Sequence, residues 1–332
     1  MTEETGRVGE GVAVSVVVDC GGTSSRIALI VDGEERARID GEASLSGYLE
    51  PSRIGTVLRK LLEPVEERYR GLGLVGSDVA VVIAAAGFVD SLRAEYRAAA
   101  ESVVADAFGG AVSTLTFVND AVALFLGHDA DGVIVAGTGS NVLMRTAAGG
   151  VVQRGGHDWV AADEGAGFWI GLDGIRRVKR DADDDQCSAL VDAFCRTYDV
   201  DAAGIIGRFR ELAVAGPQMK AQIARFAVGV CDAAAAGDDA ALGIVDRQIA
   251  ELVGTVERAI GAATRPGRVV LSGGMMRNAL YGDTFRRRMA AAVGEIDWLL
   301  VDDGMGAVAA MAAHGPGWPA ALGGFRPLVV GA

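Results

Sequence analysis

The stretch V-A-V-S-V-V-V-D-C-G-G-T-S-S-R, running from Val12 to Arg26, decides how the chain is read. An almost unbroken apolar run rich in β-branched valine, halted by two glycines, is the pattern of a strand buried on both faces. The chemistry then belongs where the strand stops. Gly21 and Gly22 leave the backbone uncrowded, so successive N–H groups can close around an anion, and Thr23, Ser24 and Ser25 add hydroxyl donors. Asp19 at the strand end suits a Mg²⁺ ion or its waters, because hard cations take carboxylate and water oxygens. Taken alone, the same residues read equally well as a hairpin turn with an exposed Asp.

The rest of the chain repeats the opening. Arg26 to Val31 and Glu35 to Ile39 are strands separated by Asp32-Gly33, a hairpin dipeptide. A helix with a kink or break near Pro64 is expected over Ile54 to Arg70, a strand over Asp78 to Ala86, a helix opened by Ser91 over Ser91 to Phe108, and a strand over Leu115 to Val118. Gly132 to Gly137, Gly137-Thr138-Gly139-Ser140, Asn141 to Thr146, Ala148-Gly149-Gly150 and Val151 to Arg154 then give strand, turn, strand, turn, strand again. This is a duplicated α/β unit, and a phosphate ligand belongs in the cleft between the two copies. A mainly helical region from Gly165 to Ala263 precedes a strand at Arg268 to Ser272, a helix near Ala279 to Val293, a last strand at Asp297 to Val301 and an Ala-rich helix near Gly306 to His314.

Composition narrows the partners. At 332 residues, two domains are expected. With 31 basic and 44 acidic residues the net charge is −13, which repels nucleic acid and anionic membranes. ATP is not excluded, because amides, helix N-termini and Mg²⁺ handle phosphate locally. Cys20, Cys187, Cys195 and Cys231 show no C-x-x-C pairing and read as reduced thiols of a cytoplasmic protein. The segment Gly304 to Phe325 is uncharged but broken by Pro316 and Pro319, so no membrane span is expected.

Two acidic positions stand out. Asp120, in Val118-Asn119-Asp120-Ala121, falls where a strand meets a helix and could accept a proton from an attacking hydroxyl, or simply cap the helix Ala121 to Leu126. Asp163-Glu164-Gly165 has the same two readings, as a helix cap or as a pair of acids suited to polyol hydroxyls.

The ordered set Asp19-Cys20-Gly21-Gly22-Thr23, Asn119-Asp120-Ala121, Gly137-Thr138-Gly139-Ser140-Asn141, Gly155-Gly156, Asp163-Glu164-Gly165 and Ser272-Gly273-Gly274 resembles the N-acetylglucosamine kinase family. That family is grouped with the activator ATPases of benzoyl-CoA reductase and 2-hydroxyacyl-CoA dehydratase, within the acetate and sugar kinase, heat-shock ATPase and actin superfamily. The likeness runs from about Val12 to Ala313. It implies two RNase H-like domains around MgATP: an N-terminal one over residues 11–118, completed by the C-terminal segment 304–325, and a second over 119–303 with a helical insertion. It further implies that Asp19 is the acid at the metal and Asp120 the base acting on the sugar hydroxyl. Gly21, Gly22, Thr23, Gly137, Thr138, Gly139 and Ser140 match the phosphate loops, while Gly237, Gly273 and Gly274 match the region around the adenosine. Asn119, Asp120, Gly156, His157, Asp158, Asp163, Glu164 and Ser46 fall at positions facing the sugar.

The chain departs from the family in two places. The family's Gly-Gly-Trp-Gly-His run is Gly155-Gly156-His157-Asp158-Trp159 here, and the loop that carries an Asn toward the N-acetyl group is Ser44-Leu45-Ser46-Gly47-Tyr48. Asp158 as an added carboxylate would favour a cationic amino sugar, while His157 reads equally as a packing residue. The expectation is ATP-dependent phosphorylation of N-acetylglucosamine, glucosamine or another hexose. The alternative is an ATPase that activates a CoA-ester reductase or dehydratase through an iron–sulfur cluster held by two cysteines from each subunit. A sugar-responsive repressor would need a helix-turn-helix, for which the residues before the first strand are too few. Homodimers occur in the resembling family, and no stretch of this sequence identifies an interface.

Overall fold

The computed structural model describes residues 12–21, 24–41, 45, 49–263, 265–315 and 320–331, without the side chains of 217, 320 and 321. The chain divides into two compact units, residues 1–120 with 305–318 and 326–332, and residues 121–304 with 319–325.

In the first unit β1 (Val14–Cys20), β2 (Ser25–Val31) and β3 (Glu34–Gly41) form an antiparallel meander. After α1 (Ile54–Gly71) the chain adds β4 (Val79–Ala85) parallel to β1, and after α2 (Arg93–Val104) it adds β5 (Val112–Val118) parallel to β4. β1 is buried on both faces, as its valine run requires. Val14, Val16, Val18 and Cys20 join one core with Leu58, Leu61 and Leu62 of α1 and Tyr96 of α2. The alternation of a strand puts Val17 and Asp19 on the other face.

The second unit opens with α3 (Asp120–Gly127), whose first residue ends the first unit, and repeats the scheme. β6 (Gly132–Ala136), β7 (Ser140–Arg145) and β8 (Val151–Gly155) make the second meander. Five helices follow: α4 (Gly167–Asp183), α5 (Ala189–Tyr198), α6 (Ile205–Ala213), α7 (Met219–Ala235) and α8 (Asp239–Gly261). β9 (Arg268–Ser272) runs parallel to β6, and α9 (Gly274–Arg277), α10 (Ala279–Val293) and β10 (Asp297–Leu300) complete the unit. The first unit then regains α11 (Met305–His314), which packs on β1 and β4, and β11 (Leu328–Gly331), antiparallel to β5.

The strand orders β11-β5-β4-β1-β2-β3 and β10-β9-β6-β7-β8 coincide once β11 is set aside. The two-copy α/β plan predicted from the Gly/Thr/Ser turns is therefore the plan of the molecule. Among the described residues, no helix is long and apolar enough to cross a membrane.

Several local expectations change. Pro64 lies inside α1 without ending it, because Leu61 and Leu62 before it and Val65 and Tyr69 after it are all buried. Ser91 does not open a helix: a single turn, Asp90–Leu92, precedes α2, whose end falls short of Phe108. Phe108 has φ 54° and is buried edge-on to Tyr69 at 5.2 Å, so packing takes it out of the helical register. β11 was not anticipated, since its partner lies two hundred residues away in sequence.

Two outcomes follow from this packing. Phe117 is fully buried, meets Tyr96 at 5.0 Å and stands opposite Leu328 of β11. Phe117→Ala should cost about 3–5 kcal/mol in a denaturant titration, and a loss under about 1 kcal/mol would contradict the placement. Burial pushes the Cys20 and Cys231 thiols up to about 12, whereas Cys187 is exposed and Cys195 intermediate. Thiol labelling of the native protein should be fast at Cys187 alone, with Cys20 and Cys231 reacting only after denaturation.

Candidate functional site

Strand register brings the first unit's candidate residues together. Asp19, Ala84 and Val118 stand in one row across the parallel strands β1, β4 and β5. With neighbouring strands about 4.8 Å apart, the Asp19 and Val118 backbones are separated by about 10 Å. Asn119 and Asp120 continue from β5 at that same edge, so Asp19 and Asp120 both stand at the carboxyl ends of parallel strands. This is where ligands of open α/β sheets gather.

Each acid is held by its surroundings. The Asp19 side chain is only 15% exposed and lies 3.7 Å from the Arg26 guanidinium across the β1–β2 pair. Asp120 sits in the first turn of α3, an end of the helix that favours negative charge. Asn119 donates from its side-chain amide to the Phe88 carbonyl at 3.3 Å, which fixes the strand-to-helix corner. Behind them lies Cys20. Its thiol is raised chiefly by burial, opposed by the Leu45 N–H that donates to Sγ at 3.0 Å, and raised further by the charges of Asp19 and Asp120. Leu45, fully buried, also accepts from the Gly87 N–H at 2.8 Å, and so pins one point of the predicted ligand loop beside β1. Gly21 directly follows β1, while Gly22, Thr23 and Ser46 lie outside the described residues.

The second unit brings most of its predicted residues together around the turn between β6 and β7. The first N–H groups of α4 close on this turn: Gly167 donates to the Gly137 carbonyl at 2.8 Å and Phe168 to that of Thr138 at 3.2 Å. Asp163, 3% exposed, accepts from the Ser140 N–H at 3.1 Å, and the Ser140 hydroxyl donates to the Glu164 carbonyl at 2.9 Å. A Cβ on Gly139 would stand 3.0 Å from the Asp163 carboxylate, so this acid lies directly against the turn. Gly273 (φ 101°) and Gly274 pack on the other side, with a Gly137 Cβ position 3.9 Å from Gly273. A side chain at Gly273 would meet the Ala136 carbonyl at 2.3 Å, so only glycine fits.

Beside the turn, Asn141 of β7 pairs in register with Gly155 of β8. Gly155 and Gly156 take left-handed φ values of 66° and 67°, and a Cβ on Gly156 would collide with the Asn141 and Gln153 amides at 2.6 Å. Two acceptor oxygens converge here. Asn141 Oδ1 and Glu164 Oε2 are buried without a hydrogen-bond partner among the described residues, and the Glu164 oxygen is 3.3 Å from where a Gly155 Cβ would be. Orphaned buried acceptors are rare and mark places where a donor is missing. His157 is exposed. Gly237, with φ 93° and its N–H bonded to the Ala234 carbonyl, ends α7, and no described bond ties it to the turn.

Lys220 was missed by the sequence reading. From the first turn of α7 it reaches Asp163 at 2.6 Å and Asp158 at 3.3 Å. Asp158 thus already faces a cation. The available signal was scarcity, because Lys60, Lys179 and Lys220 are the only lysines among 31 basic residues. Lys220→Met should leave the Asp163 carboxylate buried and unpaired, and lower stability by about 3–5 kcal/mol. Thermal melts of Lys220→Met, Asp163→Asn and the double variant should show the double variant less damaged than the two single losses added; strict additivity would argue against coupling.

The comparisons with known proteins agree with this architecture. No curated protein matches the sequence. Among solved structures, a provisionally assigned N-acetylglucosamine kinase from Chromobacterium violaceum is similar over 90% of this chain and 99% of its own, at 21% identity and a TM-score of 0.67. A second provisional N-acetylglucosamine kinase, from Porphyromonas gingivalis, covers 89% of this chain and 96% of its own, at 16% identity and a TM-score of 0.65. A ROK family glucokinase from Streptomyces griseus, solved with glucose and AMPPNP, covers 92% and 98% at 16% identity and a TM-score of 0.50. At these identities the likeness is one of fold, the two-domain nucleotide-binding fold of the sugar kinases. The model of the BadF/BadG/BcrA/BcrD ATPase family matches residues 16–310, nearly the whole chain, and the protein belongs to that family.

Proposed function

We propose that this protein is an ATP-dependent kinase of a hexosamine, with N-acetylglucosamine the first acceptor to test. The observation that carries the reading is the pair of unpartnered buried oxygens, Asn141 Oδ1 and Glu164 Oε2, beside the Gly155-Gly156 backbone. Sugar hydroxyls are the complementary donors. Immediately next to them is a Gly-Thr-Gly-Ser turn of the type that receives phosphate. Asp158 is engaged by Lys220, so a cationic amino sugar would compete with the lysine for it. This favours the neutral acetamido sugar over free glucosamine.

In this mechanism Asp120 orients the acceptor hydroxyl and takes its proton as the new oxygen–phosphorus bond forms and the bond to the β-phosphate oxygen breaks, releasing ADP. Phosphoryl transfer asks little covalent chemistry of a protein, and rate comes mainly from positioning and charge neutralisation. Asp19 is the residue that would hold Mg²⁺. A single carboxylate, largely shielded from solvent, suits that ion, which keeps several waters and shares its remaining positions with phosphate oxygens. When bound, the ion neutralises charge on the transferred phosphate. The turn after β6 would supply backbone donors to the polyphosphate, and Gly273 and Gly274 beside it would leave room for the adenosine.

The family name also covers ATPases that serve a partner enzyme. A cluster shared between two copies of a chain needs two accessible thiols on each, and only Cys187 is exposed here. The kinase reading is therefore the stronger.

ATP consumption with Mg²⁺ across a panel of sugars tests it. Turnover should appear with N-acetylglucosamine and fall by about 10²–10⁴ in Asp120→Asn, with the KM for ATP little changed. ATP hydrolysis indifferent to every sugar, or sugar-dependent turnover that survives in Asp120→Asn, would refute the proposal.

A further inference from the structure

Away from the turn, the second unit carries a concavity of about 580 Å³ between α4 and the N-terminal part of α8. This is the size of a small-molecule site. Arg176, Arg177 and Arg180 of α4 and Arg247 of α8 line it, against the carboxylates of Asp173 and Asp239. Four guanidinium groups facing one hollow are conspicuous in a chain of net charge −13.

The arginines are not equally committed. Asp173 accepts from Arg176 at 3.3 Å, Arg247 at 2.9 Å and the Gln248 amide at 3.1 Å, so one carboxylate holds two arginines in place. Arg177 pairs with the buried Asp181 at 2.6 Å. Arg180 is exposed and its guanidinium has no ion-pair partner among the described residues. With Arg177 paired to Asp181, the other three arginines face only the two carboxylates of Asp173 and Asp239, which leaves a surplus of one positive charge at the hollow. Planar guanidinium groups arranged in this way suit the oxygens of a phosphomonoester. Asp239, a hydrogen-bond acceptor on the same wall, suits a hydroxyl of the same ligand.

The hollow is separate from the phosphate turn. The N-terminal end of α4 closes on Gly137 and Thr138 through Gly167 and Phe168, whereas Arg176 and Arg180 lie nine and thirteen residues further along the helix. At 1.5 Å per residue they are about 14–20 Å away.

We infer that this arginine-lined hollow binds a phosphorylated polyol, its phosphate on Arg176, Arg180 and Arg247 and a hydroxyl on Asp239. The chemistry is common to a sugar phosphate and a nucleoside monophosphate. Calorimetric titration of N-acetylglucosamine 6-phosphate and of AMP, with inorganic phosphate as the bare anion, separates these sources. The reading is of binding alone, so it stands or falls independently of the proposed reaction. At least one of the two organic phosphates should bind saturably and more tightly than inorganic phosphate. Its affinity should drop about tenfold or more in Arg180→Glu and in Arg247→Ala, the loss expected for one charge-assisted hydrogen bond. Arg59→Glu, the same charge change on the first unit, should leave it unaltered. Arg180 makes no ion pair that folding would miss, so its variant keeps the test valid if Arg247→Ala is unstable. No binding at millimolar concentration, equal binding of inorganic phosphate, or binding indifferent to the hollow's arginines and displaced by unphosphorylated sugar would each overturn the inference.

Discussion

The buried carboxylate of Asp163 constrains the second unit more than any other single group. Only 4% of that side chain is exposed, and an ionised carboxylate so placed must be paired or it is strongly unfavourable. Lys220 and the Ser140 N–H supply the pairing. Because these partners come from α7 and from the turn before β7, one ion pair joins the helical insertion to the strand meander. The geometry of the turn follows. A Cβ on Gly139 would stand 3.0 Å from the carboxylate, Asp163 itself takes φ 66°, and the residue after it offers its carbonyl to the Ser140 hydroxyl. The backbone strain at Asp163 is tolerated because the surrounding hydrogen bonds over-determine its position.

Much of this was legible in the sequence, for identifiable reasons. A valine-rich run ending in Gly-Gly reads as a buried strand, and a similar strand-and-turn phrase at Gly137-Thr138-Gly139-Ser140 exposes the duplication, which the first loop alone does not. Turn residues and strand ends are local, and local chemistry is what a sequence displays. Lys220, β11 and the convergence of Asn141 with Glu164 are products of pairing at a distance. The Lys220–Asp163 contact closes 57 residues of chain, and Arg93 donates to the Arg326 carbonyl across 233. Nothing in the spacing of residues announces such contacts. The failure over Ser91 to Phe108 is of another kind: a good capping residue was present, but a separate turn, Asp90–Leu92, precedes α2, and at the far end Phe108 is held out of the helix by its packing on Tyr69. Tertiary packing there outweighed the local signal.

The duplicated strand order also separates what the two copies share from what each does alone. Both have a three-strand meander followed by two parallel strands. Only the second carries the insertion α5 to α7, and with it Lys220. The first copy instead places Asp120 at the end of its last parallel strand and anchors Leu45 against Cys20. The two copies thus share their sheet plan and differ in the elements added to it.

Net charge is a poor guide to such sites. A total of −13 argues against long nucleic acids and anionic membranes, whose charge is felt beyond a Debye length of about 8–10 Å. It does not govern a ligand seated within a few ångströms of fixed donors. Asp163 is neutralised by Lys220 inside the unit, and Asp173 is crowded by Arg176 and Arg247, so both acids count toward the total without presenting free negative charge. The acidic surplus resides instead in exposed residues such as Asp184 and Asp185, at the end of α4. An acidic total therefore coexists with basic side chains gathered at one hollow of the second unit, and local charge, not the sum over the chain, sets what such a hollow attracts.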